Sequence, residues 1–148
     1  MREIQSALEG VRKLGIDTAP LIYFVERHAQ FSPVVRTVIE RAEAGDLELI
    51  SSTLTLTEAL TLPFQQQADA IAETYRAILL GSSYTRIFAV DAEIAELAAR
   101  LRAKYRIKTP DAIQIAVSIQ AGCEAFLTND RNLKRVHDLS VLALIDFV

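Results

Sequence analysis

Cysteine is almost missing from this chain of 148 residues: Cys123 stands alone, so no internal disulfide can form. One thiol is the usage of a reducing cytosol, and its place between Gly122 and an apolar stretch reads as a small buried residue. Long hydrophobic runs are also lacking. Charge or proline interrupts every apolar stretch well short of membrane-spanning length, which argues against a membrane partner. The first residues, Met1-Arg2-Glu3-Ile4-Gln5, have no apolar core of a signal peptide. Positive charge is not in excess. With 16 Lys and Arg against 19 Asp and Glu the net charge is −3, so any nucleic-acid binding must use local basic patches or bridging metal ions. His28 and His137 are isolated and not at metal-ligand spacing, and read as surface residues. There is no internal repeat, low-complexity run or linker.

What remains is a chain that is 51% hydrophobic. That excludes disorder, and the length suits one domain, 1–148, with a sizeable core.

The stretch from Lys108 to Gly122 reads as one complete buried helix. Thr109 suits the N-cap, Pro110 the first helical position and Gly122 the left-handed residue past the end. Nearly every position between is apolar. Asp111 in the first turn is the exception, with Gln114 and Ser118 following on the same face. A carboxylate there complements the free N–H groups of the helix start.

In chain order, residues 1–13 carry Ile4, Ala7, Leu8 and Val11 at helical spacing and predict a short N-terminal helix. Leu14-Gly15-Ile16-Asp17 reads as a buried strand ending in an acid. Helices follow from Thr18-Ala19-Pro20 to Val25 and from Ser32-Pro33 to about Ala44, closed by Gly45. A second strand spans Leu47 to Ser51. A Thr-rich helix runs from Ser52 to Leu62, carries Glu58 and is broken by Pro63. Another helix spans Ala68 to Leu80. A third strand, Thr85 to Val90, precedes a long amphipathic helix capped by Asp91. After the Lys108–Gly122 helix come a strand at Ala125–Thr128, a short helical turn at Arg131–Val136 and a strand at Ser140–Leu144. Tyr23, Phe24, Phe88 and Phe126 sit within apolar runs and read as core.

Short apolar strands alternating with helices indicate an α/β fold with a mainly parallel sheet of about five strands. Sites in such sheets form beyond the C-terminal strand ends. That rule selects Asp17 and Asp130, and Glu58 and Asp111 lie in helices able to reach the same edge. Four converging acids repel one another unless a cation sits among them. Hard oxygen donors without a His or Cys cluster point to Mg2+ or Mn2+, and a carboxylate-held divalent ion suits phosphodiester hydrolysis. Thr18 and Thr128 each neighbour an acid and could orient it or simply cap a turn. Asn129 reads as a turn residue. Two basic clusters flank the acids and could meet phosphates or be solvated surface: Lys104, Arg106 and Lys108, then Arg131, Lys134 and Arg135.

These residues resemble a known family. Gly15-Ile16-Asp17-Thr18 with Leu21-Ile22-Tyr23, then Thr57-Glu58, then Thr109-Pro110-Asp111-Ala112-Ile113-Gln114, then Leu127-Thr128-Asn129-Asp130, resemble the PIN domains. Asp91 to Arg102 looks like the helix that precedes the third acid there. The resemblance runs from Leu14 to the C-terminus, with 1–13 as an N-terminal extension. It implies a PIN-like three-layer fold and a Mg2+- or Mn2+-dependent ribonuclease. Asp17, Glu58, Asp111 and Asp130 would be its catalytic and metal-holding residues. The likeness is greatest to VapC-type toxins, which implies a cytoplasmic homodimer that cuts RNA and is silenced by a small antitoxin.

Two other readings stand beside it. One is a PIN-fold nucleic-acid-binding or RNA-processing protein outside any toxin–antitoxin pair, with or without catalysis. The other is phosphotransfer with Asp17 as nucleophile, which the usual haloacid-dehalogenase pattern disfavours: it needs an Asp where Ala19 stands. Finally, the apolar content of Thr18–Arg27 and Pro33–Ala44 suggests that a homodimer would form there.

Overall fold

A computed structural model describes residues 2–148. Its centre is a five-stranded sheet, all parallel, in the order β3-β2-β1-β4-β5. The strands are β1 (Lys13–Ile16), β2 (Glu48–Ser52), β3 (Thr85–Phe88), β4 (Ala125–Thr128) and β5 (Ser140–Ala143). The helices are α1 (Ile4–Ala7), α2 (Thr18–Val25), α3 (Ser32–Glu43), α4 (Thr53–Gln65), α5 (Asp69–Leu79), α6 (Ala92–Tyr105) and α7 (Thr109–Gln120). Two 3-10 turns, Arg131–Arg135 and Leu144–Phe147, flank β5. No helix among the described residues is long and apolar enough to cross a membrane.

Side-chain alternation along the strands divides the core. Leu14, Ile16, Leu49, Ala125, Leu127 and Leu142 face one side, with Val35, Val38, Ile39 and Ala42 of α3 packed over them. Ile50, Phe126 and Val141 face the other, under Ile94, Ala98 and Leu101 of α6 and Ala112, Ile115 and Ala116 of α7. Period-2 strands covered on both faces make the three-layer α/β arrangement that the sequence predicts. A third cluster, around buried Tyr75, ties α2 and α4 to α5.

Several local expectations change. The helix expected over 1–13 is one turn, Ile4–Ala7; Gly10 takes a left-handed φ of +77° beyond it, and Lys13 is already strand. Met1 lies outside the described residues. Helix α7 begins one residue earlier than its cap chemistry suggests, with Lys108 at the N-cap position and Thr109 inside. Pro63 does not break α4, which continues to Gln65. A proline there forfeits one backbone bond near the helix end; the amides of Gln66 and Ala68 still close on the carbonyls of Leu62 and Pro63, and the ring is buried. His28 is not a bare surface residue: Nδ1 accepts from the amides of Gln30 and Phe31, and the ring stacks on Phe31 at 4.8 Å. Of the four aromatics read as core, only Phe126 is fully buried; Tyr23, Phe24 and Phe88 are half-buried. Of the two helices expected to carry a dimer surface, α3 buries Val35, Val38, Ile39 and Ala42 inside the domain, while Ile22, Tyr23, Phe24 and Val25 of α2 stay half-buried. The large apolar side chains that are exposed lie on α4, α5 and the end of α5: Leu62, Phe64, Ile71 and Leu80.

Candidate nuclease site

Strand order reverses at β1. The chain moves outward from β1 to β2 and β3, then crosses back to lay β4 on the other side. Connections leave the strands in opposite directions there, which opens a crevice at the C-terminal ends of β1 and β4. Asp17 follows β1 and Asp130 lies two residues past β4, so both proposed acids flank that crevice.

Asp17 is fixed in every direction. Its amide donates to the Leu127 carbonyl at 2.9 Å, carrying the β1–β4 ladder one step past the strand. Oδ1 accepts from the Thr18 amide at 2.9 Å and Oδ2 from the Thr128 hydroxyl at 2.8 Å. Thr128 also accepts from the Asp130 amide at 3.2 Å, so one buried hydroxyl joins the two acids. Asp130 Oδ1 accepts from the Asn132 amide at 2.9 Å and so caps the 3-10 turn. Glu58, exposed on α4, accepts from the Thr18 hydroxyl at 2.7 Å through Oε1. Asp111 sits half-buried in the first turn of α7.

The acids feel one another. Burial pushes the Asp17 carboxyl up to about 6; the bonds from Thr128 and Thr18 resist this, while Asp111 and Glu58 add to it. Burial also raises Asp111, helped by Asp130 and Glu58 and opposed by Lys108. All four expected acids therefore share one edge and one electrostatic neighbourhood. Among the described residues, however, no three acids, His or Cys are already gathered closely enough to hold an ion. The donor set itself is all hard oxygen, which fits Mg2+ or Mn2+ and not a softer metal.

The basic residues divide. Arg106, Lys108 and Arg135 line a cleft of about 180 Å³ together with Asp111 and Asp130. Arg131 and Lys134 are both paired with Asp146, away from that cleft. Lys104 is exposed, its Nζ 5.0 Å from the centre of the Tyr105 ring.

A buried polar layer behind the acids was hidden in the sequence. Gln114 is 2% exposed and bonds Ser52, Thr55 and Thr18. The only signal for it was helical spacing, which put Gln114 on the face of Asp111. Asn129 is more than a turn residue: its amide donates to the Tyr23 hydroxyl at 3.2 Å, joining the end of β4 to α2.

The family model of the PIN domain matches residues 15–139, the segment containing all four acids. The chain belongs to the PIN domain family. Solved structures share its fold at low identity. A Klebsiella pneumoniae toxin–antitoxin complex matches at 21% identity and TM-score 0.67, over 89% of this PIN domain chain and 97% of the other. VapBC2 from Rickettsia felis, bound to a promoter DNA fragment, matches at 15% and 0.68, over 88% and 98%. Mycobacterium tuberculosis VapC20, described as a Sarcin-Ricin loop cleaving toxin, matches at 19% and 0.60, over 77% and 86%. No curated protein sequence matches the chain.

Proposed function

We propose that this PIN domain is a Mg2+- or Mn2+-dependent endoribonuclease, the toxin of a toxin–antitoxin pair. The observation that carries the reading is the placement of Asp17 and Asp130 at the strand-order reversal, joined by Thr128, with Glu58 and Asp111 on the same edge.

In this reading Asp17, Glu58 and Asp111 hold the ion, and Asp130 holds a second ion or a water. When bound, the ion supplies an activated water and neutralises charge on the phosphate. The chain's own part is orientation. Thr128 and the Thr18 amide fix both oxygens of Asp17, and the Thr18 hydroxyl steadies Glu58. Arg106, Lys108 and Arg135 meet the backbone phosphates of RNA in the adjoining cleft, with Lys104 as an outlying contact. Arg131 and Lys134 join them only by leaving Asp146. Residues 1–13 form an extension to a single domain. A small antitoxin partner is supported by relatives described as toxin–antitoxin complexes, and a cleaving activity by the VapC20 description. The protein works in the cytoplasm, in keeping with its one buried thiol, and as a homodimer.

The family match alone is equally open to a second reading, a PIN-fold nucleic-acid-binding protein without catalysis. Cleavage assays separate the two. With Mg2+ or Mn2+ the wild type cuts RNA, and Asp111→Asn does not, while its circular dichroism spectrum is unchanged. RNA binding without cleavage by the wild type selects the silent module. Full activity in Asp111→Asn removes that residue from the mechanism.

A further inference from the structure

Buried polar side chains are costly unless bonded, and a connected set of them lies directly beneath the acids. The Ser52 hydroxyl donates to Gln114 Oε1 at 2.9 Å. That contact fixes which way the amide faces: its nitrogen is turned toward Thr55 at 2.7 Å and Thr18 at 3.3 Å. The Ser51 hydroxyl donates to Thr55 at 2.8 Å, and Thr18 lies farther off, 3.4 Å from Thr55. Thr18 receives from the buried Gln114 amide and has one proton to give. It gives it to Glu58 Oε1 at 2.7 Å. An ionised carboxylate can only accept, so every bond in the chain from Ser52 to Glu58 runs one way. The ends differ in freedom: Gln114 is 2% exposed, while Glu58 is a solvent-facing side chain whose one recorded bond among the described residues is this one.

We propose that Gln114, its amide held by Thr55, is a positioning residue for Glu58, acting through Thr18 to commit the Thr18 proton to that carboxylate and hold it beside Asp17. The inference rests on the nuclease reading, because it treats Glu58 as an ion ligand. An apolar side chain at 114 leaves the Thr18 hydroxyl free to turn toward other acceptors, and Glu58 then samples several rotamers. Ordering it again costs affinity each time the ion binds.

The test is a double-mutant cycle on Mn2+ affinity, measured by calorimetry on metal-stripped protein, with RNA cleavage as a second readout. Gln114→Leu is expected to weaken Mn2+ binding about tenfold and lower kcat by a similar factor with KM for RNA little changed. Raising Mn2+ should restore most of the rate. Combined with Glu58→Gln, Gln114→Leu should add nothing further to the loss of affinity, since the two act through one carboxylate. Thr55→Val, of nearly the same shape, should reproduce the effect and serves if Gln114→Leu does not fold. Wild-type Mn2+ affinity in both variants overturns the inference, as does a loss that adds fully to that of Glu58→Gln. If the wild type binds no Mn2+ and cuts no RNA, the nuclease reading itself fails and takes the inference with it; wild-type metal binding with unaffected variants sinks the inference alone.

Discussion

Gly15 and Ser118 stand so close that a Cβ on Gly15 would fall 1.9 Å from the Ser118 Oγ and 2.8 Å from its Cβ. Helix α7 lies directly on β1 at this point. The contact fixes the height of α7 over the strand that ends in Asp17, and so the distance between Asp17 and Asp111. Phe126 Cδ1, at 2.9 Å, closes the remaining space.

Gly15→Ala should therefore destabilise the fold by about 1–3 kcal/mol, the range of an overpacked core with backbone displacement. Urea unfolding measures it. Ser118→Gly in the same chain should recover part of the loss, because two of the three clashes belong to Ser118. A stable Gly15→Ala protein would mean that α7 does not sit this close to β1.

A pH prediction follows from Asp17. Its folded carboxyl is raised to about 6 from an ordinary 3.8. Between those values the folded state binds more protons than the unfolded one, so stability falls as pH rises through 6 and is recovered as pH is lowered. In EDTA the wild type should gain about 1 kcal/mol between pH 7 and pH 5. Glu124 and Asp146, both held below their ordinary values, act in the opposite sense only at more acid pH. Asp17→Asn should flatten the slope in that window. Denaturant melts at the two pH values decide it, and an unchanged slope in Asp17→Asn would assign the effect elsewhere.

Much of this was legible beforehand because local chemistry and tertiary packing agree. Asp91 and Gly122 sit where their capping and left-handed preferences put them: Asp91 Oδ1 accepts from the Ile94 amide at 2.9 Å, and Gly122 takes φ +79°. Strand identity was readable from apolar runs covered on both faces. What could not be read depends on neighbours distant in sequence. Pro63 carries a breaker's preference that its burial overrides. Val35 and Val38 are indistinguishable in sequence from an interface stripe until β1 is seen beneath them. Arg131 and Lys134 read equally as phosphate contacts or solvated surface until Asp146 folds back onto them. Ser52, Thr55 and Gln114 come from β2, α4 and α7, and only the assembled fold makes them one network. The four acids were recognisable as a set from their order and context. Their spacing belongs to the fold.

An acidic cleft of this kind should also determine how a partner silences it. Arg pairs with carboxylates through two parallel bonds. An inhibitory antitoxin is therefore expected to place a basic side chain among Asp17, Glu58, Asp111 and Asp130. Replacing that basic residue by Ala should weaken inhibition far more than it weakens complex formation. A complex that leaves the four acids open to solvent and still blocks cleavage would contradict this.

The most direct test of the central claim, that these four acids form one ion-holding cluster, is thermal melting of the wild type and Asp130→Asn in EDTA and in added Mn2+. Asp130 raises the Asp111 carboxyl, so removing its charge should stabilise the stripped protein by about 1 kcal/mol at pH 7. Mn2+ at a hundredfold excess over its dissociation constant should stabilise the wild type by about 2.7 kcal/mol, and the variant by less. If the stripped wild type melts no lower than Asp130→Asn, and Mn2+ shifts neither, the acids do not act as one cluster and the nuclease reading loses its physical basis.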